Sequence, residues 1–162
     1  MTAQVMAICG HSGAGKTTLI ERLTSLLTRD GRRVAVLKRT HHDVAVDVAG
    51  KDSDRCFRAG ATVCLQAPGE LFVRRAVPPR DAEAQWRHAL AELAASHDVV
   101  LVEGHKQTPL PKIWLLGPGE ANPPAHVANV QLVLTRTEPR PERALALLRG
   151  WPRFDAGDLR SA

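Results

Sequence analysis

The chain contains at residues 10–18 the segment Gly10-His11-Ser12-Gly13-Ala14-Gly15-Lys16-Thr17-Thr18, which fits the pattern G-x-x-x-x-G-K-T. The apolar residues 5–9 before it are typical of a strand, and residues 19–27 after it repeat apolar side chains at helical spacing. A glycine-rich loop between a strand and a helix is a phosphate-binding P-loop, whose backbone N–H groups point at an anion. We therefore assign all nine residues to a predicted nucleotide phosphate site.

Two side chains of this loop have separate predicted roles. Lys16 is expected to reach the outer phosphates, and Thr17 opens the helix with a hydroxyl that can bind Mg²⁺. The amino end of that helix adds partial positive charge. The alternative is a glycine-rich turn with a chance lysine, and the strand and helix on either side argue against it.

Composition limits the class of protein and its ligands. The 162 residues and the 44% hydrophobic fraction predict one globular domain, residues 1–162. No apolar run is long enough to cross a membrane and no secretory pattern is visible, so we expect a cytoplasmic protein. The net charge of +5 suits anionic ligands, but the basic residues are dispersed and aromatic residues are few, which favours phosphate compounds or an acidic protein over nucleic acid.

The order of the predicted elements indicates the fold. A second strand ends at Lys38 and completes a βαβ unit, which implies a parallel sheet. We predict an α/β P-loop NTPase fold, a mostly parallel sheet flanked by helices with an added antiparallel hairpin at residues 61–75. The hairpin and a strand at residues 113–116 are candidate edges for a dimer contact. Cys9, Cys64 and Trp86 are expected to be buried.

A second informative stretch is residues 98–104. Four consecutive apolar residues, 99–102, suit a strand buried on both faces, and Glu103 follows them at the carboxyl end. In a P-loop protein an acid at this position can bind Mg²⁺ directly or through water, so Thr17 and Glu103 form the predicted metal site. The alternative is that Glu103 is a surface acid after a strand.

Residues 39–52 form a polar connection after the second strand, at the edge where parallel sheets bind ligands. Its candidate ligand residues are His41, His42, Asp43, Asp47, Lys51 and Asp52. Taken alone, the His and Asp side chains could equally hold the loop's own shape by hydrogen bonds. Lys51 and Asp52 could dock a ligand or open the short helix that follows. A transition-metal site is disfavoured because the P-loop already accounts for a ligand here.

A late loop carries a possible base-reading motif. Thr135, Arg136 and Glu138 follow the last predicted strand and partly match the Asn/Thr-Lys-x-Asp pattern that reads guanine in GTP-binding proteins. The acid of that pattern accepts hydrogen bonds from the base. Arg and Glu stand here in place of Lys and Asp. The position of the segment after a late strand therefore fits the guanine-binding pattern better than its residue types do.

Taken together, these segments resemble the molybdopterin-guanine dinucleotide biosynthesis adaptor family (MobB), over about residues 5–116. The resemblance is carried by the P-loop and by the segments at residues 38–43, 47–53, 58–61, 102–106 and 111–113. Arg39 stands where the family usually has His, and His105 stands where it often has Phe. Both differences concern substrate or partner contacts and leave the phosphate loop unchanged.

The resemblance implies a protein that binds GTP with Mg²⁺, hydrolyses it slowly at most, and forms a homodimer. It also implies partners: a molybdenum cofactor guanylyltransferase, which joins GMP to molybdopterin, and molybdoenzymes. Molybdopterin or its guanine dinucleotide would be a further ligand, and residues 40–52 are then expected to contact a ligand. No arginine finger or water-positioning glutamine can be assigned, which agrees with slow hydrolysis.

Two other functions use the same residues. A P-loop kinase would transfer the γ-phosphate to a small metabolite, with His42 and Asp43 available as the acceptor base. A nucleic-acid-binding ATPase would exploit the positive net charge and would show steep salt dependence.

Overall fold

The computed structural model describes residues 2–40 and 47–155. In chain order its elements are β1 (Thr2–Gly10), α1 (Lys16–Arg29), β2 (Val34–Lys38), α2 (Asp52–Arg58), β3 (Val63–Ala67), β4 (Glu70–Arg74), α3 (Ala82–Ser96), β5 (Val99–Glu103), β6 (Lys112–Leu115), β7 (Val130–Leu134), α4 (Arg140–Gly150) and β8 (Phe154–Asp155). A short 3-10 helix, Pro79–Asp81, precedes α3. Contacts divide the chain into two compact units, Thr40–Gln85 and the remainder. A single domain therefore stays a prediction, and each unit is described by itself.

The larger unit is built on a parallel sheet in the order β2-β5-β1-β6-β7. The P-loop strand β1 lies at its centre, paired in parallel with β5 on one side and β6 on the other. Since parallel strands end at the same edge, the residues after β1, β2, β5 and β7 gather at one end of the sheet. The predicted α/β P-loop fold with a mostly parallel sheet is confirmed.

Apolar side chains cover both faces of this sheet, as expected for strands with crossover helices. One face packs Val100, Val102 and Trp114 against α3 residues such as Leu90, and Trp86 belongs to this cluster with 8% of its surface exposed. The other face packs alternate strand residues against α1 and α4, including Leu23 and Leu148. Trp86 is thus a core residue, as predicted.

Two details of the larger unit differ from the sequence predictions. The strand predicted at residues 113–116 begins at Lys112 and lies between β1 and β7, with all four residues buried, so it offers no edge for a dimer contact. Its run of apolar residues reflects burial on both faces. The strand β8 was missed because it is two residues long; it pairs antiparallel with the beginning of β1 through Thr2 and Ala3.

The smaller unit holds α2 and the predicted antiparallel hairpin, β3 with β4. The carboxylate of Asp54, 2% exposed, accepts hydrogen bonds from the Gly50 backbone and from the side chains of Arg58 and Arg74. These hydrogen bonds hold its pKa well below the usual range, the Gly50 N–H contributing most. Cys64 on β3 is exposed, so its predicted burial is wrong: a two-stranded sheet leaves one face of each strand without a core.

Among the described residues, no helix has both the length and the apolar composition needed to span a membrane.

Candidate functional site

The phosphate loop leaves β1 at Gly10 and enters α1 at Lys16, the arrangement that the sequence predicts. Gly10 has φ +147°, and a Cβ atom there would lie 2.6 Å from the Leu115 carbonyl oxygen. A side chain at this position would therefore collide with β6. Gly15, the residue before α1, is also left-handed, with φ +92°.

The Lys16 ammonium is held within the loop itself. Its Nζ donates to the Gly10 carbonyl at 3.2 Å and to the His11 carbonyl at 2.8 Å. These bonds fold the side chain back over the loop whose N–H groups would bind an anion. The predicted phosphate-contacting lysine is thus beside the phosphate cradle.

Thr17 and Glu103 meet at the carboxyl edge of the sheet. The Thr17 hydroxyl lies 3.5 Å from each carboxylate oxygen of Glu103, at the long limit of a hydrogen bond. The side chain of Glu103 is only 13% exposed and forms an ion pair of 3.2 Å with Lys38, its neighbour in register on β2. Hydroxyl and carboxylate oxygens are the donors that Mg²⁺ prefers, so the two residues fit the predicted metal. Such an ion would supply charge to neutralise bound phosphate oxygens.

A pocket of about 570 Å³ lies on the outer side of the phosphate loop. The phosphate loop and α1 line it with residues 13–15, 18, 19 and 22. The rest of the lining is residues 136, 138 and 139, which follow β7, and residues 140–142 in the first turn of α4. The predicted base-reading segment is therefore adjacent to the phosphate loop, where a nucleoside joined to bound phosphates could enter.

The base-reading candidates make contacts among themselves and with the loop. Arg136 Nη2 donates to the Gly13 carbonyl at 3.1 Å. Glu138 Oε2 accepts from the Thr135 backbone N–H at 2.7 Å, and its other oxygen pairs with Arg143. The Thr135 N–H is the main cause of the lowered pKa of Glu138. Glu138 thus fixes the shape of its own loop and can reach a base only by giving up one of these partners.

Sequence reasoning missed Arg140, the first residue of α4. Its guanidinium contacts the phosphate loop by donating to the Ala14 carbonyl at 2.7 Å. No sequence motif includes an arginine in the first turn of a helix. The one signal available is that a cation is unfavourable at this end of the helix dipole.

A further contact joins the loop to residues 117–120. The His11 ring lies 2.8 Å from a Glu120 carboxylate oxygen, whose second oxygen accepts from the Gly117 N–H at 2.6 Å. The edge of the His11 ring also meets Trp114 on β6, with the centroids 5.9 Å apart. Side-chain contacts thus stabilise the start of the phosphate loop. The partners are distant in sequence, so a local motif cannot predict them.

The segment after Glu103 is fixed by buried polar groups. Cys9 donates through Sγ to the Gly104 carbonyl at 2.9 Å, and burial raises the pKa of this thiol to about 11. The fully buried Lys112 donates to the carbonyls of Thr108 at 2.5 Å and Leu110 at 2.8 Å, and burial lowers the pKa of its ammonium. Cys9 is buried as predicted. These contacts give the residues that follow Glu103 a defined path.

The two residues that depart from the family pattern differ in setting. His105 has φ +59°, and its ring stacks on Trp86 with centroids 4.0 Å apart. The imidazole of His105 therefore packs on Trp86 as a phenylalanine ring at this position would. Arg39 is the last residue of the larger unit before the segment that follows β2.

The other ligand candidates belong to the range of the smaller unit, residues 40–85. His41, His42 and Asp43 fall outside the described residues. Asp47 accepts from the Val48 N–H at 2.8 Å and from the Ser53 hydroxyl at 3.0 Å, which favours the structural alternative for this residue. Lys51 and Asp52 are exposed at the beginning of α2. Within residues 2–40 and 47–155, no group of three His, Cys, Asp or Glu side chains could hold a metal ion.

Comparisons with known proteins agree with this geometry. The model of the family described as Molybdopterin guanine dinucleotide synthesis protein B (MobB) matches residues 5–136. The molybdopterin-guanine dinucleotide biosynthesis adapter protein of Haemophilus influenzae is 39% identical over 111 residues, 68% of this chain and 62% of that protein. The chain therefore spans less than two thirds of this relative.

Two further comparisons cover more of the matched protein. The Escherichia coli adapter protein of the same name is 34% identical over 121 residues, 74% of this chain and 69% of that protein. A crystal structure of molybdopterin-guanine biosynthesis protein B superposes with a TM-score of 0.66 and 27% identity, covering 90% of this chain and 99% of that one.

Proposed function

This chain belongs to the MobB family, and from that premise we propose that it is a GTP-binding adaptor protein of molybdenum cofactor biosynthesis. In this role it assists the attachment of GMP to molybdopterin, which forms molybdopterin guanine dinucleotide. The observation that carries the proposal is the phosphate loop with Lys16, Thr17 and Glu103 gathered around it. Its relatives named as adapter proteins support the pathway.

The nucleotide complex we propose uses Mg²⁺. The N–H groups of residues 10–18 and the Lys16 ammonium bind the phosphates, while Thr17 and Glu103 hold the ion. Lys38 forms an ion pair with the same Glu103 carboxylate and balances its negative charge. These residues bind and neutralise a triphosphate.

Hydrolysis in this proposal is slow. Two arginines lie near the loop. Arg140 donates to backbone carbonyls through all three guanidinium nitrogens, so it cannot stabilise a transferring phosphoryl group while these bonds hold. Arg136 donates through one nitrogen to the Gly13 carbonyl. The site as built retains a nucleotide and presents it to another protein. The kinase alternative depends on His42 and Asp43, which lie outside the described residues, and no observation favours it.

The base in this proposal lies in the pocket between residues 13–15 and residues 136–142. Thr135, Arg136 and Glu138 remain the proposed guanine contacts, and Glu142 is the second carboxylate on the pocket wall. A carboxylate distinguishes guanine from adenine because guanine offers N–H donors at N1 and N2. Calorimetry with GTP and ATP tests this: we expect tighter GTP binding, with the difference reduced in Glu138→Gln or Glu142→Gln. Equal affinities in the wild type would refute guanine recognition.

The proposed partners are a molybdenum cofactor guanylyltransferase, molybdoenzymes, molybdopterin or its dinucleotide, and a second copy of this chain. The hairpin of the smaller unit supports the homodimer, since Leu71, Phe72 and Val73 on β4 are 64%, 43% and 63% exposed. Sedimentation of the wild type and of Leu71→Asp tests this surface. We expect a dimer that the aspartate dissociates. A wild-type monomer would refute it. The cytoplasmic location stays a prediction from the sequence.

A further inference from the structure

Arg140 binds four backbone carbonyls at once. Its Nε donates to Thr135 at 2.6 Å and its Nη1 to Ala14 at 2.7 Å, while Nη2 reaches Leu116 at 3.1 Å and Leu134 at 3.4 Å. One side chain thereby joins the phosphate loop to the ends of β6 and β7. A planar guanidinium suits this task because its donors form a fixed fork.

The position of Arg140 is electrostatically unfavourable by itself. It is the first residue of α4, where the positive end of the helix dipole repels a cation. Burial also disfavours the charged guanidinium and lowers its pKa. The four carbonyl oxygens offset both effects. We therefore seek the role of Arg140 in its hydrogen bonds to the carbonyl oxygens and not in its position on the helix.

The bond to Ala14 has a consequence for the phosphate loop. A trans peptide is planar, so the Ala14 C=O and the Gly15 N–H point in opposite directions. When Arg140 holds the oxygen on its own side, the Gly15 N–H is directed to the other side of the loop. The N–H of the preceding peptide, that of Ala14, instead donates to the His11 carbonyl at 3.2 Å and is already used inside the loop. A methyl group at Gly15 would lie 3.3 Å from Arg140 Nη1, so the contact is close.

We propose that Arg140 is a positioning residue of the phosphate loop, which fixes the direction of the Ala14–Gly15 peptide before an anion binds. An anion then meets a Gly15 N–H that is already oriented, so no free energy of binding is spent on turning this peptide. This inference rests on the proposed phosphate binding but is independent of the base and of the adaptor role.

The test compares Arg140→Lys and Arg140→Gln with Arg149→Gln, a matched control in the last turn of the same helix, where the side chain forms an exposed ion pair with Asp30. The probe is inorganic pyrophosphate with Mg²⁺, titrated by calorimetry, and the melting temperature is measured in parallel. We expect both Arg140 variants to lose about tenfold or more in affinity, because neither replacement provides the fork. The control should bind as the wild type does.

Two results would overturn the proposal. If Arg140→Lys binds pyrophosphate as tightly as the wild type while Arg140→Gln does not, only the positive charge matters. If both variants melt at lower temperature with unchanged affinity, the residue is structural alone. Should the Arg140 variants fail to fold, amide NMR of the wild type decides, since Arg140 holds the peptide that carries the Gly15 N–H. We expect the Gly15 amide resonance to shift when pyrophosphate and Mg²⁺ are added, and an unshifted resonance overturns the proposal. A wild type that binds no pyrophosphate would overturn the phosphate site itself.

Discussion

The Thr17 hydroxyl lies 3.5 Å from both carboxylate oxygens of Glu103, although 86 residues separate the two positions in the chain. The parallel pairing of β1 with β5 creates this relationship, since Ile8 and Glu103 are register partners. Thr17 is in the first turn of α1, and Glu103 ends the buried strand β5. The pair therefore places a hydroxyl and a carboxylate side by side, which are the oxygen ligands that the proposed Mg²⁺ would use.

Replacing Glu103 by Gln should weaken nucleotide binding mainly when Mg²⁺ is present. The amide keeps the size of the carboxyl group but removes the charge that an ion needs. We expect an affinity loss of about tenfold with Mg²⁺ and a much smaller one in EDTA, by calorimetry. Glu21→Gln is the matched control, since Glu21 is a second carboxylate that lines the same groove as Thr17 and Glu103. Equal losses with and without the metal would contradict the assignment of Glu103.

Replacing Lys16 by Ala should nearly abolish binding of a nucleoside triphosphate. The variant loses the cation held at 2.8 Å from the His11 carbonyl, beside the phosphate cradle. Two charge-assisted contacts to phosphate correspond to a loss of roughly a hundredfold in affinity. Circular dichroism serves as the control for folding. An unchanged dissociation constant would mean that Lys16 does not contact phosphate.

Acid should weaken the attachment of β5 to the segment before β2. The side chain and backbone of Arg33 donate to Asp98 and lower the pKa of this carboxyl group from 3.8 to about 2. Since the pKa is lower in the folded protein, the stabilisation is complete above the unfolded value and is lost as the pH falls from about 4 to 2. We expect Asp98→Asn to reduce the dependence of the melting temperature on pH in that window.

The control for this measurement is Asp30→Asn, which removes an exposed ion pair with Arg149. Such pairs contribute little, so this variant should keep the acid dependence of the wild type. A pH profile of Asp98→Asn that coincides with the wild type would exclude the Arg33 contact as its cause.

Lys112→Met should destabilise the protein. The buried ammonium satisfies the carbonyls of Thr108 and Leu110, and methionine fills the space without donating a hydrogen bond. Leaving one buried and one partly buried acceptor unpaired costs roughly 1 to 3 kcal/mol, measured as the free energy of unfolding in urea. Lys106→Met is the control, since Lys106 is only partly buried. A stability equal to the wild type would show that water or a shifted backbone replaces the ammonium.

Local sequence patterns predicted the main helices and strands of this protein well. The sequence predicts a helix over residues 16–29 and a last strand over residues 130–134, and α1 (Lys16–Arg29) and β7 (Val130–Leu134) have these bounds. Glycines at 15 and 31 delimit the helix, and a short, mostly apolar run delimits the strand. The hairpin was also predicted, from Pro68 and Gly69 between two apolar runs. Adjacency of Thr17 and Glu103 followed from the rule that parallel strands end together.

What the sequence could not predict are contacts between distant side chains. Arg140 and Glu120 match no motif, and each acts by bonding to backbone or to a residue of another element. Lys112 belongs to a segment that carries the family resemblance, but its burial and its bonds to backbone carbonyls were not predicted. Asp54 is similar: its partner Arg58 is four residues away, but Arg74 comes from β4. Such roles depend on the folded geometry, which a single sequence does not encode locally.

The pairing of β8 with β1 brings positions near the two ends of the chain together, since Thr2 and Asp155 are register partners. They meet at the beginning of β1, and its phosphate loop leaves from the opposite end, about 26 Å away at strand spacing. A tether, a fluorescent label or a fused domain attached at either of these positions would point away from the nucleotide. Surface-immobilised binding measurements, or a permuted chain with 155 joined to 2 by a short linker, should therefore leave the phosphate loop accessible.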